Sequence, residues 1–249
     1  MSSNNSQPVN IDEITPSFSL GGFSLIMLAA FLGAVTAVGV LPNWLPGISQ
    51  SVMGSDPKAF WYLARGSAFS AYFLLWFSML LGVGITNKMA AIWPGLPPTI
   101  DLHQYTSILG LAFGLFHGLI LLGDHFINFS FFQIMVPFST TNFKPVAVGI
   151  GQLGFYLMAI ITISFYVRKK IGGKTWRVIH FGSFASYLFA LLHGISAGSD
   201  TTTIWAQAIY WTTGIILLYM IVYRILFSRA NAKEKQNRLQ SIPPKLPTL

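Results

Sequence analysis

Five histidines stand at positions 103, 117, 125, 180 and 193 of a 249-residue chain. Four of them form two sets of similar spacing, His103 with His117 and His180 with His193. An imidazole can shuttle a proton or ligate a metal through a neutral ring nitrogen. Cysteine is absent, which removes disulfides, iron–sulfur clusters, thiolate ligands and catalytic thiols together. With only 7 Asp and Glu in the chain, the histidines are the main candidates for metal chemistry.

The elements that carry them follow from composition. The chain is 53% hydrophobic and 9% charged, against about 25% charged for a soluble domain. So much apolar surface cannot be hidden from water, so the expected fold is all-α, an integral membrane bundle. Six stretches approach the roughly 20 residues a bilayer needs: 20–40, closed by Leu41-Pro42, then 59–86, 100–122, 147–167, 176–197 and 204–227. No alternating strand pattern suggests a barrel. Residues 1–17 read as a polar tail with no basic signal region. Residues 18–228 form the membrane domain and 229–249 a basic tail.

Lys and Arg set the expected orientation. Lys88, the run Arg168-Lys169-Lys170 with Lys174 and Arg177, and the group Arg224, Arg229, Lys233, Lys235, Arg238 and Lys245 share one side. They hold 12 of the 15 basic residues. The other side has Lys58, Arg65 and Lys144. The positive-inside rule then places both termini in the cytoplasm of a cell that carries this protein in its plasma or inner membrane. The basic residues follow the spans and form no aromatic-laced patch, so nucleic acid is not an expected partner.

On this topology the third and fifth spans run the same way. His103 and His180 enter at similar depth near the inner face. His117 lies about 21 Å further along its span, and His193 about 19–20 Å along its own. Ionisable residues in lipid are costly and face a partner or cofactor. One zinc ion cannot bridge the two levels, and two zinc sites would lack further ligands. A membrane proton relay would call for carboxylates, but Asp101 and Asp124 lie at span ends. Haem b fits best: each iron takes two axial imidazoles, and the macrocycle fills the space between helices. One point resists. At about 100° per residue, 14 residues return within about 40° of one face, but 13 miss by about 140°. Either the fifth span is distorted, near Gly182, or its histidines reach the haems from different flanks.

Around these residues the chain resembles the ferric reductase-like transmembrane family. That family includes the membrane parts of NADPH oxidases and ferric reductases and the haem subunit of the bacterial methionine sulfoxide reductase system. Gly173-Lys174-Thr175-Trp176-Arg177-Val178-Ile179-His180 resembles its G-K-x-W-x-x-x-H lead into span five. His193-Gly194-Ile195-Ser196-Ala197-Gly198-Ser199-Asp200-Thr201 resembles the H-G-x-x-A-G-[ST]-D-T stretch of stand-alone bacterial members. Ala64-Arg65-Gly66, with the run ending Leu81-Gly82, resembles their span two. The likeness covers residues 59–227, and oxidase members share the spacings of 14 and 13. It implies bis-histidine haem at His103/His180 and His117/His193. The oxidases continue into flavin and NADPH domains; here no Gly-rich dinucleotide fingerprint follows.

Arg65, Lys174 and Arg177 are candidates for haem propionates, since basic side chains match carboxylates. For Lys174 and Arg177 the alternative is the orientation signal. His125, beside Asp124, reads as an interfacial residue, and Trp176 and the other tryptophans as interfacial anchors. The phenylalanine-rich loop 123–146 is either an interfacial belt or a lid over a cofactor. The expected function is electron transfer across the membrane, from a separate flavoprotein or quinol donor to an outer-side acceptor. The chain would then be the electron-transfer part of an oxidoreductase. The alternative is a haem-containing structural or assembly subunit of a larger membrane complex.

Overall fold

The computed structural model describes residues 14–44, 59–86, 95–124, 127–141 and 143–240, and every regular element in them is helical. In chain order these are α1 (Leu20–Trp44), α2 (Ala59–Thr86), α3 (Leu96–Ile120), α4 (Phe131–Met135), α5 (Pro145–Ile171), α6 (Gly173–Phe181), α7 (Ser183–Ala197) and α8 (Ile204–Gln240). A short 3-10 turn, Leu121–Gly123, extends α3. Six spans among the described residues are long and apolar enough to cross a membrane, with α6 and α7 together making the fifth. The chain is a multi-pass membrane protein.

The helix ends differ from the expected spans for local reasons. Pro42 does not stop α1, which runs on to Trp44. A proline in the last turn removes only one ladder bond, and Asn43 Nδ2 donates to the Gly39 carbonyl at 3.0 Å. α3 starts at Leu96 rather than 100, because Pro97 and Pro98 occupy first-turn positions where no N–H is needed. α8 does not end near 228 but continues through much of the expected tail to Gln240. At 1.5 Å per residue its 37 residues reach about 55 Å, well beyond the ~30 Å hydrocarbon core.

The fifth span is broken at Gly182. Its N–H bonds back to the Ile179 carbonyl at 2.9 Å, a three-residue step, before the Ser186 N–H returns to Gly182 O at 2.9 Å. A 3-10 step winds more tightly than an α-helix, in the direction the 13-residue spacing needs. A side chain at 182 would stand 2.9 Å from the Ile179 carbonyl and 3.3 Å from Leu157 Cδ1, so only glycine fits this bend against α5.

Packing places the histidine helices at the centre. α2 lies along α3, α5 along α7, α1 against α3, and α8 against α2. The main core joins Tyr72, Leu75, Met79 and Val83 of α2 to Ile108 and Leu111 of α3, Met158 of α5, Tyr187 of α7 and Tyr210 and Leu217 of α8. A smaller cluster at one end joins Phe60 and Ala64 to Ile120. Small residues permit close approach, as expected where lipid supplies no hydrophobic drive between helices. Ser186 Oγ donates to Gly154 O at 2.9 Å across the α5–α7 contact. The outer face is apolar, with Leu25, Leu28, Ile160, Ile215 and Leu218 exposed.

One end of the bundle is tied by its polar residues. The Arg168 guanidinium donates to the Ile14 carbonyl and to Phe165 O at 2.7 Å, and lies 4.0 Å over the Phe165 ring. Read from the sequence as part of a basic loop, Arg168 is instead buried in the last turn of α5. Ser17 Oγ donates to Asp101 at 2.8 Å, and Ser17 N–H to Gln104 Oε1 at 2.9 Å. The starts of α1 and α3 and the end of α5 therefore lie together.

Candidate functional site

The four membrane histidines meet in two pairs. The His103 and His180 ring centroids are 5.9 Å apart with planes at 73°. Those of His117 and His193 are 6.2 Å apart at 69°. The matched depths read from the sequence thus become actual neighbours, despite the unequal spacings.

Three rings are oriented by backbone carbonyls of adjacent helices. His103 Nδ1 lies 2.9 Å from Ser78 O of α2, His117 Nδ1 2.9 Å from Ala64 O of α2, and His193 Nδ1 2.8 Å from Ala147 O of α5. A carbonyl can only accept, so each ring must carry a proton on Nδ1, and the neutral ring then keeps its lone pair on Nε2. Ser78 Oγ adds a contact to His103 Nδ1 at 3.0 Å and pairs with Ser107 Oγ at 2.6 Å. His180 is held differently. Its ring stacks on Trp176, one turn earlier, with centroids 4.8 Å apart and planes at 24°. Trp176 is 9% exposed, which corrects its reading as an interfacial anchor: its ring is used on His180. The i, i+4 spacing that stacks them was visible in the sequence.

These pairs fit a metal between two imidazoles. A metal about 2 Å from each ligating nitrogen sets the ring centroids roughly 6 Å apart. An edge-to-face contact allows the same distance. What such a contact does not require is three rings with Nδ1 tied to carbonyls and Nε2 free, which is how metal-ligating histidines are held. Among the described residues no group of three or more His, Asp and Glu forms a metal site. Each pair therefore brings together two imidazoles and no further His, Asp or Glu among the described residues.

A cavity of about 310 Å³ surrounds His117 and His193, within the range of small-molecule and cofactor sites. Glycines from three helices leave room for it: Gly110, Gly114 and Gly118 of α3, Gly151 and Gly154 of α5, and Gly194 of α7. Ile127, Phe129, Ile134, Met135 and Phe143 also line it. The 123–146 loop is therefore a lid over the cavity as far as it is described, although Phe131, Phe132 and Phe138 remain exposed. α5 clamps the lid: Gln152 Nε2 donates to Gln133 O and Ile134 O, both at 2.7 Å, and Tyr156 OH to Met135 O. His125 lies outside the described residues.

The basic candidates separate. Arg65 lines the cavity, pairs with Asp200 at 2.6 Å and lies 4.1 Å over the Trp61 ring. Lys174 and Arg177 are exposed, so the structure does not gather them with Arg65. Asp200 was legible only as part of the motif after His193; its pairing with Arg65 was not, because 135 residues separate the two and no local pattern joins them.

Midway between the pairs lies a hydroxyl cluster that the sequence also concealed. Tyr72 OH is 2.6 Å from Thr213 Oγ1 and 3.1 Å from Tyr187 OH, while Thr213 Oγ1 bonds to the Ile209 carbonyl at 2.7 Å. Each hydroxyl has one hydrogen. Only one direction pairs all three: Tyr187 to Tyr72, Tyr72 to Thr213, Thr213 to Ile209 O. The chain joins α7, α2 and α8. Compared with protein families, curated proteins and solved structures, the sequence and fold match none.

Proposed function

We propose that this protein is a b-type membrane cytochrome that holds two haems, at His103/His180 and His117/His193, and carries electrons from one face of the membrane to the other. The observation that carries the reading is the pair geometry: two imidazole pairs about 6 Å apart, with Nδ1 of three of the four rings on backbone carbonyls, which leaves Nε2 available to a ligand. The motif resemblance around His180 and His193 motivates the same reading, although no family model matches the chain. Bound haem would supply the one-electron carrier that no side chain of this chain provides.

The protein's own part is to bind, orient and shield. The four histidines would ligate, His103, His117 and His193 through Nε2. Ser78, Ala64 and Ala147 hold three rings in the ligating tautomer, and Trp176 braces the fourth. The apolar lining and the clamped lid cover the outer pair, and Arg65 offers a cation at the cavity wall whose charge Asp200 offsets. The Lys- and Arg-rich end is taken as cytoplasmic, in a plasma or inner membrane, with a separate flavoprotein or quinol as donor.

The test is spectroscopic. The full chain, expressed with ample haem precursor and purified in detergent, is expected to show a low-spin b-type spectrum with close to two haems per polypeptide. His103→Ala and His117→Ala should each lower that to about one. A colourless protein, or two haems retained after His117→Ala, overturns the reading.

A further inference from the structure

The histidine rings rest on different surfaces, and two rest on bare helix backbone. His193 lies across Gly151 of α5. A Cβ at 151 would stand 2.5 Å from His193 Nδ1, 2.6 Å from Cγ and 2.9 Å from Cε1. Four residues earlier is Ala147, whose carbonyl takes the Nδ1 proton at 2.8 Å. His103 repeats the arrangement on α2. A Cβ at Gly82 would stand 3.3 Å from its Cε1 and 3.6 Å from Nδ1, and Ser78, again four residues earlier, accepts the Nδ1 proton at 2.9 Å.

The repeat has a physical basis. In a helix the carbonyl of residue i already accepts the N–H of residue i+4. Its second lone pair remains available, but only to a group lying close along the helix side. Residue i+4 stands on that side, one turn on. A glycine there leaves a flat seat on which an imidazole can lie and reach the carbonyl. The third carbonyl-bound ring, His117, is held at Ala64 with Ala68 four residues later, so a glycine is not needed at every seat. The distances show where it is needed: at Gly151 a methyl would overlap ring atoms, and at Gly82 it would only crowd them.

We infer that Gly151 and Gly82 are positioning residues, whose missing side chains hold His193 and His103 in the Nδ1-protonated form that presents Nε2 as ligand. The inference rests on the two-haem reading for its consequence, but not for the seat itself. It makes Gly151 the determinant of the outer site and Gly82 a milder one of the inner site.

The test compares Gly151→Ala, Gly82→Ala and the control Gly149→Ala in the full haem-loaded chain. Gly149 lies two residues from Gly151 on α5, but its added Cβ would run into Phe138 rather than a histidine. Gly151→Ala is expected to lower haem from about two to about one per chain and to remove one of the two low-spin paramagnetic resonance signals. Gly82→Ala should keep both haems and alter the signal and midpoint potential of one. Gly149→Ala should lower thermal stability and shift the outer signal through Phe138 of the lid, but keep two haems per chain. In the haem-free chain labelled with 15N at histidine, one ring should lose its Nδ1–H signature in Gly151→Ala and keep it in Gly149→Ala. Unchanged haem content, resonance and ring signals in Gly151→Ala overturn the inference, as does an equal response from Gly149→Ala. If the unsubstituted chain takes up no haem, the cytochrome reading fails by itself, and the 15N signals alone decide the seat.

Discussion

Tyr72→Phe removes one oxygen from the middle of the bundle, and the one-way hydroxyl chain predicts its cost. Tyr72, Tyr187 and Thr213 are 7%, 5% and 3% exposed, so a broken bond is not made good by water. Without the Tyr72 oxygen, the Tyr187 hydroxyl loses its acceptor and becomes a buried orphan donor. Thr213 loses a donor to its oxygen but keeps its own bond to Ile209 O. An orphaned buried donor costs about 1–3 kcal/mol in soluble proteins, and interhelical bonds in membranes measure about 0.6 kcal/mol on average and 1.7 at most. The expected loss is therefore about 1–2 kcal/mol, read by SDS-induced unfolding in mixed micelles. Tyr187→Phe leaves Tyr72 still donating to Thr213, so it should cost about 0.5–1 kcal/mol. The double variant removes the orphan, so it should be no less stable than Tyr72→Phe alone, a clear departure from additivity. If Tyr187→Phe proves costlier than Tyr72→Phe, the chain runs the other way and the reasoning is wrong.

Trp176→Leu takes away the ring on which His180 stacks; the inner haem should change its resonance signal while the outer one does not, and no change in either would refute the bracing role. Asp200→Asn unpairs Arg65 at a site where the two side chains keep 27% and 14% exposure; solvent screening holds the expected cost to about 1 kcal/mol or less, and the freed cation should raise the outer midpoint potential, checked by redox titration. Gly123→Ala drives a methyl into the Phe60 ring in the small end cluster, an overpacking expected to cost about 1–3 kcal/mol and to lower Tm with no change of the inner haem signal; an unaltered Tm would contradict it.

Much of the architecture was legible because membrane crossing is a local property. Length, apolarity and the rarity of charge mark a span residue by residue, so six spans and four membrane histidines could be read directly. The 13-residue spacing was legible as a difficulty, and Gly182 as a place where a helix could bend. Trp176 could have been joined to His180 by the same arithmetic, since four residues on one helix place two rings together. The helix ends were less legible, because a proline near a terminus reads as a stop while the ladder loses only one bond there.

What the chain determined alone was therefore which segments enter lipid, which side chains could ligate, and how far apart along each helix they stand. The tertiary structure decided which ring each histidine faces, which carbonyl takes its proton, that Arg65 answers to Asp200, and that Tyr72, Tyr187 and Thr213 form one hydroxyl chain. The reason is one of range. Rise and rotation along a helix follow from its own backbone, but the lone pairs and open glycine faces that orient a ring belong to other helices and come within reach only after packing.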